Sequence, residues 1–182
     1  MQRAGDVFDY LGWIDAQVKR YAVGLPRNED HARTWQGILF AVAGRQMLVA
    51  LDEVGAIVTP PRQVGLPGAK PWVAGLANLR GELTGIFDLS HFWFDAAMPA
   101  SRHSVVFLAR HAQAPSAFLV ERSYGIRQIP YGEERLIEDS EQHGDLAGQP
   151  GFHKEVRLNE EWVPVLELRS LLKDDQFLSA VA

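Results

Sequence analysis

Apolar residues in the first part of the chain recur at spacings of three and four: Val7, Leu11, Ile14, Val18, Tyr21 and Leu25. That period lays one stripe along one face of a helix. Asp6 stands where an N-cap belongs and Asp9 adds negative charge to the first turn. Lys19 and Arg20 lie toward the other end, where cations complement the helix dipole. Gly24 and Pro26 stop the element, and Gly12 weakens it by about 1 kcal/mol relative to alanine. The stripe has two readings: it packs on this chain's own body, or it meets a partner helix. Residues 26–33 are polar and read as a linker, so residues 1–33 are expected to form a helix and linker ahead of a domain over 34–182.

Beyond the linker the pattern changes to short apolar runs separated by glycine and proline. Gly37 to Val42 and Gln46 to Leu51 flank Ala43-Gly44-Arg45 and read as a hairpin. Val54 to Val58 is a strand closed by Thr59-Pro60-Pro61. Trp72 to Leu79 runs into Arg80-Gly81, and Glu82 to Leu89 returns; Gly81 suits a turn position that needs positive φ. Ser90 to Phe94 reads as one helical turn. A second series begins at Ser104, with Ser104 to Ala109 pairing with Ser116 to Glu121, then Tyr124 to Ile129. Glu133 to Leu146 is acidic and reads as a loop with little regular structure. Phe152 to Leu158 and Trp162 to Leu166 form a last hairpin around Asn159-Glu160, and Leu168 to Leu178 reads as a closing helix. The expectation is a mainly β chain of roughly ten short strands, whose edges are best removed by closure into two small barrels.

Composition supports an ordinary globular chain: 47% of the 182 residues are hydrophobic and 23% charged. The longest apolar runs are too short to span a bilayer. Residues 1–6 contain no apolar core of a secretory signal, and with no cysteine there is neither disulfide nor thiolate chemistry. A cytoplasmic location is expected. The net charge of -5 and the scattered placement of lysine and arginine argue against a nucleic-acid partner.

Catalytic patterns are absent. The six histidines form no metal-spaced pair, no serine sits in a nucleophile elbow, and no glycine-rich phosphate loop follows a strand. The carboxylates of Glu133-Glu134 and Glu138-Asp139 fall in a polar stretch, where nothing desolvates one of them for acid catalysis. No catalytic, metal or cofactor-binding residue is expected, and no cofactor.

One segment carries specific information: Trp72-Val73-Ala74-Gly75-Leu76-Ala77-Asn78-Leu79-Arg80-Gly81, followed by Glu82 to Leu89. The planar guanidinium of Arg80, projecting from a tight turn, can grip carboxylate or backbone oxygens of a partner; alternatively it forms a local ion pair with Asp88 or Glu82. This segment resembles the signature of CheW-like domains, in which a bulky residue and a glycine precede Asn-Leu-Arg-Gly and an apolar strand ending in Asp-Leu. Gly37 to Val58, Leu66-Pro67-Gly68, Ala117 to Glu121 and Val163 to Leu168 are similar to other segments of that family in the same order, so the resemblance spans residues 35–172. The leading helix, with Gly24-Leu25-Pro26 and then Trp35 and Gly37-Ile38, resembles the PilI type associated with type IV pilus chemosensory systems and twitching motility.

The resemblance implies two five-stranded, SH3-like barrels sharing a core, with N-terminal and C-terminal helices. It also implies a non-enzymatic adaptor joining the regulatory domain of a CheA-type histidine kinase to the cytoplasmic tip of a methyl-accepting chemoreceptor. It would meet the membrane only through the receptor. By position it implies partner contacts at Val54, Gly75, Asn78, Arg80 and Gly81, although Val54 and Gly75 equally suit core and turn roles. Where the family commonly has proline before the last apolar pair, this chain has Gly85-Ile86-Phe87, which restores a backbone donor and is expected to loosen an edge. A small β-barrel that binds peptides unrelated to chemosensing is the alternative reading, as the same strand pattern would serve it.

Overall fold

The structure is a computed structural model and describes residues 34–99, 101–110 and 112–180. The expected leading helix and linker lie outside the described residues. Among the described residues are eleven strands and three short α-helices. A six-stranded sheet has the order β8-β1-β2-β11-β10-β9. Its members are β1 (Thr34–Val42), β2 (Arg45–Ala50), β8 (Arg122–Pro130), β9 (Glu134–Leu136), β10 (Phe152–Leu158) and β11 (Glu161–Leu166). A five-stranded sheet has the order β3-β6-β7-β5-β4. It is built from β3 (Val54–Val58), β4 (Val73–Leu79), β5 (Glu82–Asp88), β6 (Val105–Ala109) and β7 (Ser116–Val120). The helices are α1 (Leu89–Phe94), α2 (Leu168–Leu171) and α3 (Asp175–Leu178).

Chain connectivity forces both sheets to curl. β8 and β9 occupy opposite edges of the six-stranded sheet, yet only Tyr131, Gly132 and Glu133 join them. Four residue steps reach at most about 14 Å, whereas the edges of a flat six-stranded sheet lie about 24 Å apart. In the other sheet β3 and β4 are the two edges. The segment following β3 returns to β4 through paired bonds, Val64 N–H to Leu76 O and Leu76 N–H to Val64 O, both 2.8 Å.

The central strands of the two curled sheets are buried on both faces, which is why they read as continuous apolar runs. In β1, Ile38, Phe40 and Val42 join the apolar layer shared by the two sheets, while Leu39 points into the six-stranded sheet's own core beside Leu48, Val156 and Val163. In β7, Phe118 and Val120 enter the shared layer, and Ala117 joins Ala77, Ile86 and Val106 inside the five-stranded sheet. Phe40 and Phe107 meet edge-on across the two sheets at 5.4 Å between ring centroids. Phe177 of α3 closes the shared layer against Phe87, Phe92 and Phe118.

Several expectations need correcting. Glu133 to Leu146 is not an irregular loop: it supplies β9, the sixth strand, and two 3-10 turns, Ile137–Asp139 and Gly144–Leu146. Ile137 and Leu146 are buried there, and two isolated apolar residues carry no periodicity by which to find them. The two apolar series do not map one to each sheet: β6 and β7 complete the sheet begun by β3, while the six-stranded sheet joins the first strands to the last ones. The closing helix is two short ones, α2 and α3, and Asp174 caps the second by accepting from Gln176 and Phe177 N–H. β5 lies inside its sheet rather than at an edge, and the N–H of Gly85 donates to Pro115 O at 2.9 Å, so the missing proline adds a bond.

Buried carboxylates tie the layers together. Glu53, at the crossover from β2 to β3, accepts from Leu168 N–H at 2.8 Å and Arg169 N–H at 3.3 Å, holding the start of α2. Fully buried Glu155 of β10 bonds Arg135 of β9, Ser140 at 3.0 Å and His143 at 2.7 Å, and so anchors the segment the sequence left unstructured. Gly75, at a β-bulge with φ of +142°, allows the Val64 segment to close the five-stranded sheet: a Cβ there would lie 2.4 Å from Val64 O.

Three outcomes follow from these ties. Gly75→Ala combines a forbidden φ with a backbone clash and is expected to cost roughly 2–4 kcal/mol, read by denaturant unfolding together with faster amide exchange at Val64 and Leu76. Glu155→Ala strands Arg135 and should cost about 3–5 kcal/mol, with exchange of 134–146 rising first. Desolvation raises the Glu53 carboxyl above its ordinary 4.5, outweighing the two backbone N–H bonds and Arg169. Its contribution to stability is therefore full below that ordinary value and is lost as pH rises through the folded-state value. Unfolding free energies measured between about pH 4 and 7 should show this fall, and Glu53→Gln should remove it.

Candidate partner-binding surface

The signature turn is a two-residue hairpin loop. Leu79 pairs with Glu82, and Arg80 and Gly81 between them have φ of 56° and 88°. Positive φ at both positions matches the right-handed twist of the flanking strands. Asn78 braces the loop: its Oδ1 accepts from Gly81 N–H at 2.9 Å. Arg80 carries the strain of a left-handed conformation and holds its side chain out into solvent. Neither expected local ion pair forms. Asp88 is buried and caps α1, accepting from Ser90, His91 and Met98 N–H, and Arg80 has no ion pair among the described residues.

Strand register places an apolar patch beside this turn. Asn78 opposes Leu83, Leu76 opposes Gly85, and Val64 bridges to Leu76, so all five share the outer face of β4 and β5. Leu83 is 64% exposed and Val64 74%. The ring of Phe87 folds back against Gly85, where a Cβ would lie 3.1 Å from it. The patch therefore has apolar area at its centre and a directional cation at its rim, the anatomy of an energetically focused protein contact.

The five positions expected from the sequence do not gather into one contact surface. Asn78, Arg80 and Gly81 come together at the turn. Gly75 lies on the same strand but is buried, and its role here is to seat Val64. Val54 is only 4% exposed: its side chain belongs to the shared layer and offers no apolar area, while its carbonyl oxygen accepts from Arg110 Nη2 at 3.1 Å. Sequence reasoning missed Val64 and Leu83. Leu83 was within reach, because inward Thr84 and Ile86 bracket the phase that turns it outward. Val64 lies in Gln63-Val64-Gly65-Leu66-Pro67, where no period exists to place it.

Among the described residues no group of histidine and carboxylate side chains is arranged to hold a metal ion, and no helix is long and apolar enough to cross a membrane.

The chain is similar to several known proteins. Protein PilI of Pseudomonas aeruginosa is 32% identical over 173 residues, covering 94% of each chain. Chemotaxis protein CheW of Bacillus subtilis is 33% identical over 52 residues, 29% of this chain and 33% of its own length. The crystal structure of the scaffolding protein TtCheW from Thermoanaerobacter tengcongensis superposes with a TM-score of 0.68 at 12% identity, covering 79% of this chain and 96% of that one. The CheW-like domain family matches residues 36–176, and with the two-sheet architecture around one shared core this places the chain in the CheW-like family.

Proposed function

We propose that this protein is a non-enzymatic, cytoplasmic adaptor that couples a chemoreceptor to a CheA-type histidine kinase in a chemosensory system controlling type IV pilus motility. The observation that carries the reading is the signature turn. A fold that needed Arg80 only for its own stability would pair it internally. Here Arg80 stands free of ion pairs among the described residues, at the rim of an apolar patch that exposes Val64 and Leu83. Apolar side chains of this size left open beside a braced turn favour a protein partner. The likeness to PilI over almost the whole chain supports the pilus setting.

In this reading Asn78, Gly81 and Gly75 act by shaping the surface, and Arg80, Leu83 and Val64 touch the partner. The kinase's regulatory domain is the partner of this surface, and the receptor tip is held elsewhere on the same scaffold.

Titration calorimetry with the isolated regulatory domain of the cognate kinase tests the assignment. Arg80→Ala and Leu83→Asp should each weaken binding by about tenfold or more, with unfolding midpoints unchanged, because neither side chain is buried. Wild-type protein that fails to bind at micromolar concentrations would sink the coupling assignment. Binding that both variants leave intact would move the contact away from this turn.

A further inference from the structure

The outer face of β4 and β5 does not end at the signature turn. Leu83, Gly85 and Phe87 follow one another on the same side of β5. The Phe87 ring lies against Gly85, and it also meets Phe177 of α3 at 4.8 Å between ring centroids. Phe177 is buried and packs on Phe92 and Phe118 as well, at 5.4 and 5.8 Å. Phe92 in turn holds the ring of Trp72 at 5.3 Å. Trp72 and Lys70 belong to the segment between β3 and β4, the one that brings Val64 to Leu76. Just beyond α3, the carbonyl oxygen of Ala180 accepts from Lys70 N–H at 2.9 Å. One short helix thus holds both parts of the face: Phe87 of β5 and the segment that carries Val64.

Little holds α3 itself. Its four residues make a single turn, too short to persist alone. The Asp174 cap acts within that turn, and Leu178 is largely exposed. Its main attachments among the described residues are the Phe177 ring and the Ala180 carbonyl. Elements held by so few contacts open before the rest of a fold does. Opening of α3 lets Phe87 leave Gly85 and releases the Lys70 end of the Val64 segment, so the face keeps its shape only while α3 is seated.

We propose that α3 is a clasp for the signature face, with Phe177 as its positioning residue. Seated, it fixes Phe87 and Val64 in the arrangement a partner binds; unseated, it lowers affinity through Phe87 and Lys70. The effect on affinity rests on reading that face as the kinase contact, whereas the coupling between clasp and face exists without a partner. Coupling is reciprocal, so a partner bound at the face also holds α3 closed.

Two arms test this on the full chain, labelled with nitrogen-15. Without a partner, Gly85→Ala presses a methyl group onto the Phe87 ring from the surface side. It should shift the Phe177 amide and speed exchange of the Lys70 amide, leaving Leu39 and Val163 unchanged. Unmoved Phe177 and Lys70 amides would overturn the proposal. With the kinase regulatory domain, Phe177→Ala should weaken binding by about tenfold. Leu39→Ala opens a cavity in the six-stranded sheet's own core; it should lower the unfolding midpoint too, but keep the wild-type affinity. Wild-type binding should slow exchange of the Lys70 amide. Undiminished binding by Phe177→Ala, equal losses in both variants, or Lys70 exchange indifferent to the bound partner would each overturn the clasp. Wild-type protein that does not bind sinks the kinase reading, and the clasp is then decided by the first arm.

Discussion

The apolar layer between the two curled sheets governs the rest of the molecule. Phe40, Phe107, Phe118 and Phe152 are all essentially inaccessible to solvent, and they come from strands of both sheets. Burial of each such side chain contributes about 1.5–3 kcal/mol, but the geometric consequence matters more. A strand such as β1 sends Phe40 to the shared layer and Leu39 to a different core. A slip of one residue would exchange those two sets. Register is therefore held on both faces of the central strands, leaving variation to turns, edges and the segments between strands. The candidate surface lies there.

Burying so much of both sheets leaves polar groups to be satisfied at the crossovers, and three carboxylates do this. Glu53 joins the β2–β3 crossover to α2, Asp88 caps α1 and reaches Met98 N–H, and Glu155 gathers Arg135, Ser140 and His143. A buried carboxylate is tolerable only when its oxygens are occupied by donors. Apart from Arg135, whose strand β9 pairs with β10, the donors belong to elements that no strand pairing would otherwise hold. The same requirement takes Asp88 out of reach of Arg80, which frees the arginine for the surface.

At the signature turn the division of labour differs from what residue identity alone implies. Glycine and asparagine act on backbone geometry: Gly75 by admitting Val64, Gly81 by its positive φ, Asn78 by accepting the Gly81 N–H. Contact area comes instead from Leu83 and Val64, with Arg80 setting direction. Substitutions at the shaping positions and at the contacting positions can weaken binding alike, through stability in one case and through the interface in the other.

Much of the fold was legible because it rests on local chemistry. The hairpins at Ala43-Gly44, Arg80-Gly81 and Asn159-Glu160 all place both loop residues at positive φ, and each includes a glycine or an asparagine. The ordered motifs around Asn78 to Gly81 carried the family. β9 was not legible, since Glu134–Leu136 is short and polar and is held by pairing with β10 and by the Glu155 cluster. Nor could the sequence show which strands share a sheet, because an apolar run looks the same whichever neighbour covers it. By itself the sequence determined where strands turn, which residues are apolar enough to be buried and which turn bears an arginine; that this arginine is left without a local ion pair among the described residues came from the structure. Only the tertiary structure decided that Val54 faces inward and that Val64 stands beside Leu76, on the face of β4 and β5 that also carries Leu83. Those are contacts between distant segments, and their energies depend on what packing brings together, not on the order of residues along the chain.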